Sequence, residues 1–314
     1  MATGPERTEV ADLRAGALMG QAAARLTDAG SDTARLDAEL LVSHAFARDR
    51  TWLHAHPDAA LDEGAARDLD AWVERRAAGE PVAYIRGFKE WFGLRIATDP
   101  RALIPRPETE LLAESAIAEI AARLVRDDHV VWVWDVATGG GAVALALALR
   151  FRAALTLGRL QLVASDLSPD ALELASENLV AHGVAPLVTL QMSDLLGGDA
   201  GGLGVSDQPL RADLVTANLP YVTTAEVDAA PGSLAFEPRL ALDGGADGLD
   251  VLRRLVVQLP ERLAPGGVAL LEVAARQAAA VRAEAERLPI PVAVTQIPDL
   301  AGIERVVRIA RLDA

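Results

Sequence analysis

From residue 130 onward, wholly apolar runs of strand length alternate with helical stretches, and this alternation limits the possible fold more than any other feature of the chain. Val130–Val136 is apolar except for Asp135, and Leu160–Ser165, Leu187–Gln191, Ala212–Ala217 and Val268–Val273 follow it. Between them, Gly141–Leu149, Pro169–His182 and Leu249–Leu263 have helical spacing, the last ending near Pro265-Gly266-Gly267. Continuously apolar strands are buried on both faces, which calls for a mostly parallel sheet with helices packed on each side. Two tail segments, Pro291–Gln296 and Arg305–Ala310, can pair as an antiparallel edge. The expectation is an α/β, doubly wound sheet. The glycine-rich Gly197–Gly204 stretch sits between polar residues instead of at a strand-to-helix turn, and reads as a flexible loop.

Ahead of this region the pattern differs. Residues 8–80 read as helical. Ser31-Asp32 can cap a helix that places Leu36, Leu40 and Leu41 on one face, after a stop at Gly30. A further helix, Ala65–Ala78, carries Leu69, Trp72 and Val73 on one stripe and ends at Gly79. Such a bundle serves equally as a docking module or as a structural cap. Phe88–Ile96 turns aromatic and β-branched, which suggests a hairpin. Leu103–Glu110 is an extended, proline-pinned segment feeding a helix from Thr109 to Leu124, with Pro107 just ahead and acids in the first turn. The expected organisation is a helical domain over 1–85, a hairpin linker over 86–105 and a catalytic domain over 106–314.

Charge and composition exclude several functions. A net charge of −15 repels phosphate backbones, and no basic run exceeds pairs such as Arg75-Arg76 and Arg253-Arg254. This argues against a long nucleic-acid duplex as partner. With no cysteine, disulfides, thiolate zinc sites and thiol nucleophiles are out. His54 and His56 form the one close histidine pair, and beside Pro57 they read as a solvated helix end, so no metal site is expected. The charged start, Met1–Glu9, lacks an apolar signal core, and no run approaches the roughly 18 apolar residues of a membrane span. A soluble cytoplasmic protein is the default expectation.

Asp135-Val136-Ala137-Thr138-Gly139-Gly140-Gly141 lies where the first strand turns into a helix, and so is a candidate nucleotide-binding turn. An acid should then end the second strand to hold ribose hydroxyls, and Asp166 stands there. After the third strand, Asp194 can accept from an adenine amine while Leu195 packs on the ring. The turn, Asp166, Asp194 and Asn218 all fall at carboxyl ends of successive strands. That joint pattern favours S-adenosylmethionine over a nicotinamide dinucleotide.

The fourth strand runs directly into Asn218-Leu219-Pro220-Tyr221. Asn-Pro-Pro-Tyr and its close variants mark methyltransferases that alkylate a planar nitrogen, an amide or an exocyclic base amine. Such a nitrogen is a poor nucleophile because its lone pair is delocalised. Accepting hydrogen bonds from both of its N–H groups orients that lone pair, and the Asn218 side-chain carbonyl and the Leu219 backbone carbonyl are suited to do so. Pro220 keeps Leu219 extended, and Tyr221 can cover one face of the planar group. The competing reading is a polar turn that merely closes the strand.

These residues, with Arg35–Leu41, Glu80–Gly87, Leu103–Glu110, Asp166–Leu172, Glu237–Leu242 and Gly244–Gly248, make the chain resemble the peptide chain release factor N5-glutamine methyltransferases (HemK/PrmC family) over nearly its whole length. The Ile-Pro-Arg-Pro-Glu-Thr-Glu stretch separates it from enzymes that methylate a ribosomal-protein glutamine. The resemblance implies a seven-stranded class I S-adenosylmethionine-dependent methyltransferase fold with a small helical N-terminal domain that grips the release factor. It implies methyl transfer to the side-chain amide of the glutamine in a class I release factor's Gly-Gly-Gln tip. Carried onto matching positions, the cofactor residues are Ala137, Thr138, Gly139, Gly140, Gly141, Asp166, Asp194, Leu195 and Asn218. The glutamine would meet Asn218, Leu219, Pro220 and Tyr221, with Arg106–Thr109 and Phe92 nearby. Three departures stand out: Leu219 for proline, Ala274 where the family has glycine, and Ala137 for the first glycine of the turn. A side chain fits that last position without strain only if its φ is below zero. The rival functions are an adenine-N6 methyltransferase of nucleic acid, a glutamine methyltransferase with another protein target, and a binding module that has lost its cofactor.

Overall fold

The computed structural model describes residues 12–126, 129–197, 211–230 and 232–312, so most of the Gly197–Gly204 stretch lies outside the described residues. The chain forms two compact units, Met1–Gly87 and Phe88–Ala314.

The first unit holds five helices: α1 (Ala15–Asp28), α2 (Ala34–Ala45), α3 (Arg50–Ala55), α4 (Glu63–Ala77) and α5 (Val82–Arg86). Asp49 and Asp62 cap α3 and α4 by accepting from backbone N–H groups in their first turns. The cap expected from Ser31-Asp32 does not form. Thr33 is the N-cap of α2, and the Ser31 and Thr33 hydroxyls donate instead to the Asp37 carboxylate at 2.9 and 3.0 Å. The buried face of α2 is Ala34, Ala38, Leu41 and Val42, while Leu36 is exposed. Spacings of four, seven and eight residues bring those four side chains onto one stripe, and Leu36 falls off it. Leu69 and Val73 of α4 join the same core, with Trp72 partly buried against it. Two buried acids brace the bundle: Asp37 accepts from Arg76 Nε of α4 at 2.8 Å, and Glu39 from Arg50 of α3 at 2.6 Å. These acids account for two of the polar positions in the Arg35–Leu41 segment.

The second unit opens with a hairpin, β1 (Phe88–Trp91) and β2 (Leu94–Ala97). Its two-residue loop has positive φ at both Phe92 and Gly93 (52° and 70°), the backbone twist that tight hairpins favour. Trp91 and Ile96 sit in the core of this unit. There follow α6 (Thr109–Arg126), β3 (Val131–Val136), α7 (Ala142–Arg150), α8 (Arg152–Thr156), β4 (Leu160–Asp166), α9 (Pro169–Ala181), β5 (Thr189–Met192) and β6 (Ala212–Asn218). The unit ends with α10 (Thr224–Asp228), α11 (Asp250–Arg262), β7 (Leu263–Glu272), α12 (Ala278–Ala285), β8 (Val292–Pro298) and β9 (Glu304–Arg311).

The seven-stranded sheet has the order β5-β4-β3-β6-β7-β9-β8. All pairs are parallel up to β7, and β9 is antiparallel to both β7 and β8. The tail strands therefore pair as expected, with β9 inserted between β7 and β8. Residues alternate between the two faces: on β7, Val268 and Leu270 face α6 and α7, while Ala269 and Leu271 face α11 and α12. The chain runs outward from β3 to β5 and returns on the other side of β3 as β6. The connections leaving β3 and β6 thus diverge, and a crevice opens at the carboxyl ends of these two strands.

Candidate active site

A cavity of about 520 Å³ occupies that crevice. Of the residues expected from the sequence, Ala137, Thr138, Gly139, Gly140, Asp166, Asp194, Leu195, Asn218, Leu219 and Pro220 line it. Gly141 and Tyr221 do not. Gly141, at φ 80°, begins α7, and a Cβ placed there would meet Ala175 of α9 at 3.0 Å, so its role is close helix packing. Tyr221 is half-buried behind the wall, and loss of water pushes its hydroxyl up to about 12. Phe92 is also absent from the wall, and its backbone N–H donates to Glu110 at 2.9 Å.

The turn after β3 is held by its own residues. Asp166 accepts from the backbone N–H of Gly139 and of Ser168, both at 2.9 Å. Asp135, at the end of β3, accepts from the Thr138 and Thr216 hydroxyls at 2.6 and 2.7 Å. Ala137 departs from expectation: its φ is 54°, not negative. The backbone here keeps the left-handed conformation that a glycine would hold freely, and Ala137 carries the strain, about 1 kcal/mol. Leu195 is also left-handed, at 54°. The carboxylate of Asp194 is paired with Arg254 at 2.6 Å, so this acid is already partly engaged.

Burial dominates the electrostatics. It pushes Asp135 up to about 6 and raises Asp166 above the ordinary carboxylate range. Among the described residues neither acid has a cationic partner, although both face the cavity. Buried acids without a protein cation suit a ligand that brings positive charge and hydroxyl donors of its own.

At the end of β6, the side-chain nitrogen of Asn218 donates to Thr109 Oγ1 at 3.0 Å. Its carbonyl oxygen, Oδ1, is buried and has no hydrogen-bond partner. An orphaned buried acceptor in a cavity wall is costly unless a ligand donor meets it. The backbone beyond Asn218 is fixed by close approach: a Cβ on Gly244 would lie 2.6 Å from the Pro220 carbonyl oxygen, and one on Gly248 2.3 Å from that of Tyr221. Only glycine fits at either place. Glu237 fixes the opposite wall, accepting from Ile104 N–H at 3.0 Å and Arg106 at 2.6 Å.

The sequence reading placed Asp135 at the head of the candidate turn without giving it a role, although it lines the cavity, and it gave no site role to Glu272, Glu237 or Asn178. Asp135 and Glu272 were signalled by being lone acids in apolar strands. Asn178 of α9 gave no signal, yet it donates to Gly140 O at 2.9 Å and accepts from Ala97 N–H at 2.7 Å.

Residues 17–87 match the model of the PrmC N-terminal domain. Over 295 residues the chain is 39% identical to the release factor glutamine methyltransferase of Deinococcus radiodurans, covering 94% of this chain and 97% of that protein. The chain belongs to the release factor glutamine methyltransferase family. A protein of the same name from Cereibacter sphaeroides is 39% identical over 304 residues (96% of this chain, all of that one), and one from Moorella thermoacetica is 36% identical over 287 residues (91% and 95%). Among solved structures, the hMettl16 catalytic domain in complex with a MAT2A 3′UTR hairpin superposes with a TM-score of 0.51 at 16% identity, over 82% of this chain and 84% of that one. At that identity the likeness concerns the fold. No helix among the described residues is long and apolar enough to cross a membrane.

Proposed function

We propose that the protein methylates the side-chain amide nitrogen of the glutamine in the Gly-Gly-Gln motif of a class I peptide chain release factor, using S-adenosylmethionine. The observation that carries this reading is the buried, unpartnered carbonyl oxygen of Asn218 in the cavity wall. It is an acceptor awaiting an N–H donor, and a carboxamide brings two. Family membership supports the choice of glutamine and of a release factor. The helical domain, taken as residues 1–85, would dock the partner. Such a substrate implies work in the cytoplasm.

When bound, S-adenosylmethionine supplies an electrophilic methyl group on a sulfonium centre. Ala137, Thr138, Gly139, Gly140, Asp166, Asp194, Leu195 and Asn218 are the residues proposed to hold it, with Asp135 added from its place in the wall. Asp166 is suited to ribose hydroxyls, and the unpaired charges of Asp135 and Asp166 complement a cationic ligand. Asn218 Oδ1 and the Leu219 carbonyl accept the two amide N–H groups and aim the nitrogen lone pair. Pro220 stiffens this pair of acceptors, and Gly244 and Gly248 hold the strap in place. Orientation, together with acceptors that strengthen as the nitrogen becomes positive, accounts for the acceleration without a dedicated base.

The test is transfer of label from S-adenosylmethionine to a purified release factor and to a copy whose Gly-Gly-Gln glutamine is replaced. Label on the intact factor alone is the expected result. Label on both, or on neither, overturns the assignment.

A further inference from the structure

Beyond the tetrapeptide the chain makes a long excursion, residues 223–241, and comes back to the point where it left. Val222 N–H donates to Leu242 O at 3.0 Å, Gly244 N–H to Val222 O at 2.8 Å and Thr224 N–H to Gly245 O at 2.9 Å, so the two ends are pinned together. Connections of this length are uncommon in compact domains and usually carry a function. This one reaches the cavity, whose wall includes Pro238, Arg239, Leu240 and Ala241. Apolar packing does not hold the strap down. Its α10 and its two 3-10 turns, Gly232–Phe236 and Arg239–Ala241, bury no side chain, and Phe236 and Leu240 are 39% and 55% exposed. Arg239 joins Asp228 and Asp243 at 2.6 and 2.8 Å, but those pairs stay within the strap and its base.

Glu237 is the one buried residue among the described residues of 223–241, and its carboxylate leaves the strap. Oε2 accepts from Ile104 N–H at 3.0 Å and Oε1 from Arg106 at 2.6 Å. The parts on either side of the strap are fixed. Trp91 of the core donates to the Arg106 carbonyl at 2.8 Å. Gln277 Nε2 donates to the Tyr221 and Gly248 carbonyls at 3.0 and 3.1 Å. Asn218 is held in register with Glu272 of β7, a buried neighbour whose Oε2 has no hydrogen-bond partner. A segment with so little buried apolar surface opens at a fraction of the cost of global unfolding.

We propose that Glu237 is a positioning residue, the latch that fastens a strap hinged at Val222 and Asp243 against Ile104 and Arg106. Glu237 does not itself line the cavity and acts through the residues beside it that do. What passes the strap rests on the glutamine methyltransferase reading, whereas the latch is a property of the folded chain. A glutamine within a protein brings backbone on both sides, and a wall that opens and recloses admits it while still excluding water afterwards.

Ile104 N–H reports on the latch, because its exchange with solvent requires release from Glu237. In the free protein, NMR-detected hydrogen exchange should run at least about 100-fold faster at Ile104 than at Leu214 and Val215 of β6, which is paired on both sides. Release factor together with S-adenosylhomocysteine should slow Ile104 at least about tenfold. Glu237→Gln keeps an acceptor for Ile104 but loses the charged bond to Arg106, and Arg106→Gln removes the same bond from the other side. Each should speed Ile104 exchange about tenfold and leave β6 unchanged, whereas a merely destabilised fold would speed both alike. In both variants kcat/KM for the release factor should fall about tenfold, with S-adenosylhomocysteine affinity within about threefold. Ile104 exchange as slow as that of β6 in the wild type, or unchanged kcat/KM in variants whose Ile104 has been released, overturns the proposal. An Ile104 that opens as described in a protein that methylates no glutamine would uphold the latch and overturn the function instead.

Discussion

Replacing Glu272 by glutamine should change how the protein's stability depends on pH, by an amount the structure sets. The carboxyl is 1% exposed and burial moves it from the ordinary 4.5 to about 7. The folded chain thus holds this proton more tightly than the unfolded chain. The stabilisation is complete below pH ~4.5 and is lost as pH rises through about 7. At ~1.36 kcal/mol per pH unit the full span is about 3 kcal/mol, of which about 2 kcal/mol falls between pH ~5.5 and ~8.5. Glutamine has no proton to gain or lose there. Its spare N–H groups meet the place where Oε2 has no partner, so the variant also carries a constant offset of about 1–2 kcal/mol. The assay is urea unfolding of both proteins at the two pH values, reading the difference between them. From low to high pH that difference should move by about 2 kcal/mol in the variant's favour, whatever the offset. Comparison with the wild type cancels acids such as Asp99 and Glu177, whose bonds to Arg101 lower their pKa and tilt stability the other way. A difference constant within about 0.5 kcal/mol would refute the claim that a buried, uncompensated carboxylate sits beside Asn218.

Asn218→Ala should cut turnover about 10²- to 10³-fold while S-adenosylhomocysteine affinity changes less than about fivefold; matching losses in both would place Asn218 in cofactor binding instead of substrate orientation. Ala137→Val adds a branched side chain at a φ of 54° and should destabilise by about 1–2 kcal/mol. An unchanged melting temperature there would mean that the turn relaxes to negative φ in solution. Asn178→Ala leaves Ala97 N–H and the Gly140 carbonyl without their side-chain partner, and should cost about 3 kcal/mol in chemical denaturation. A loss under about 1 kcal/mol would show that water replaces the amide.

The parallel strands were legible because burial on both faces leaves an uninterrupted apolar run, and no other arrangement of five such runs separated by helices is economical. The helices of the first unit were legible as existing but not in detail. At 3.6 residues per turn Leu36 and Leu41 cannot share one narrow stripe, and packing buries the stripe through Ala34, Ala38, Leu41 and Val42, which leaves Leu36 exposed. The site divides along the same physical line. Residues whose role follows from position at a strand end, such as Asp166 and Asn218, could be found by counting along the chain. Those whose role depends on a partner far away in sequence could not. Asn178 meets Ala97 across 81 residues, and Thr109 meets Asn218 across 109. Ala137 shows a third kind of limit. The alanine letter argued for negative φ, but the conformation of the turn is imposed from outside it, by Asp166 on Gly139 N–H and by Ser165 on Thr138 N–H at 2.9 Å. With two backbone anchors just downstream, relaxing Ala137 would mean breaking at least one of those bonds, so the strain of about 1 kcal/mol is the smaller loss and the turn keeps its shape.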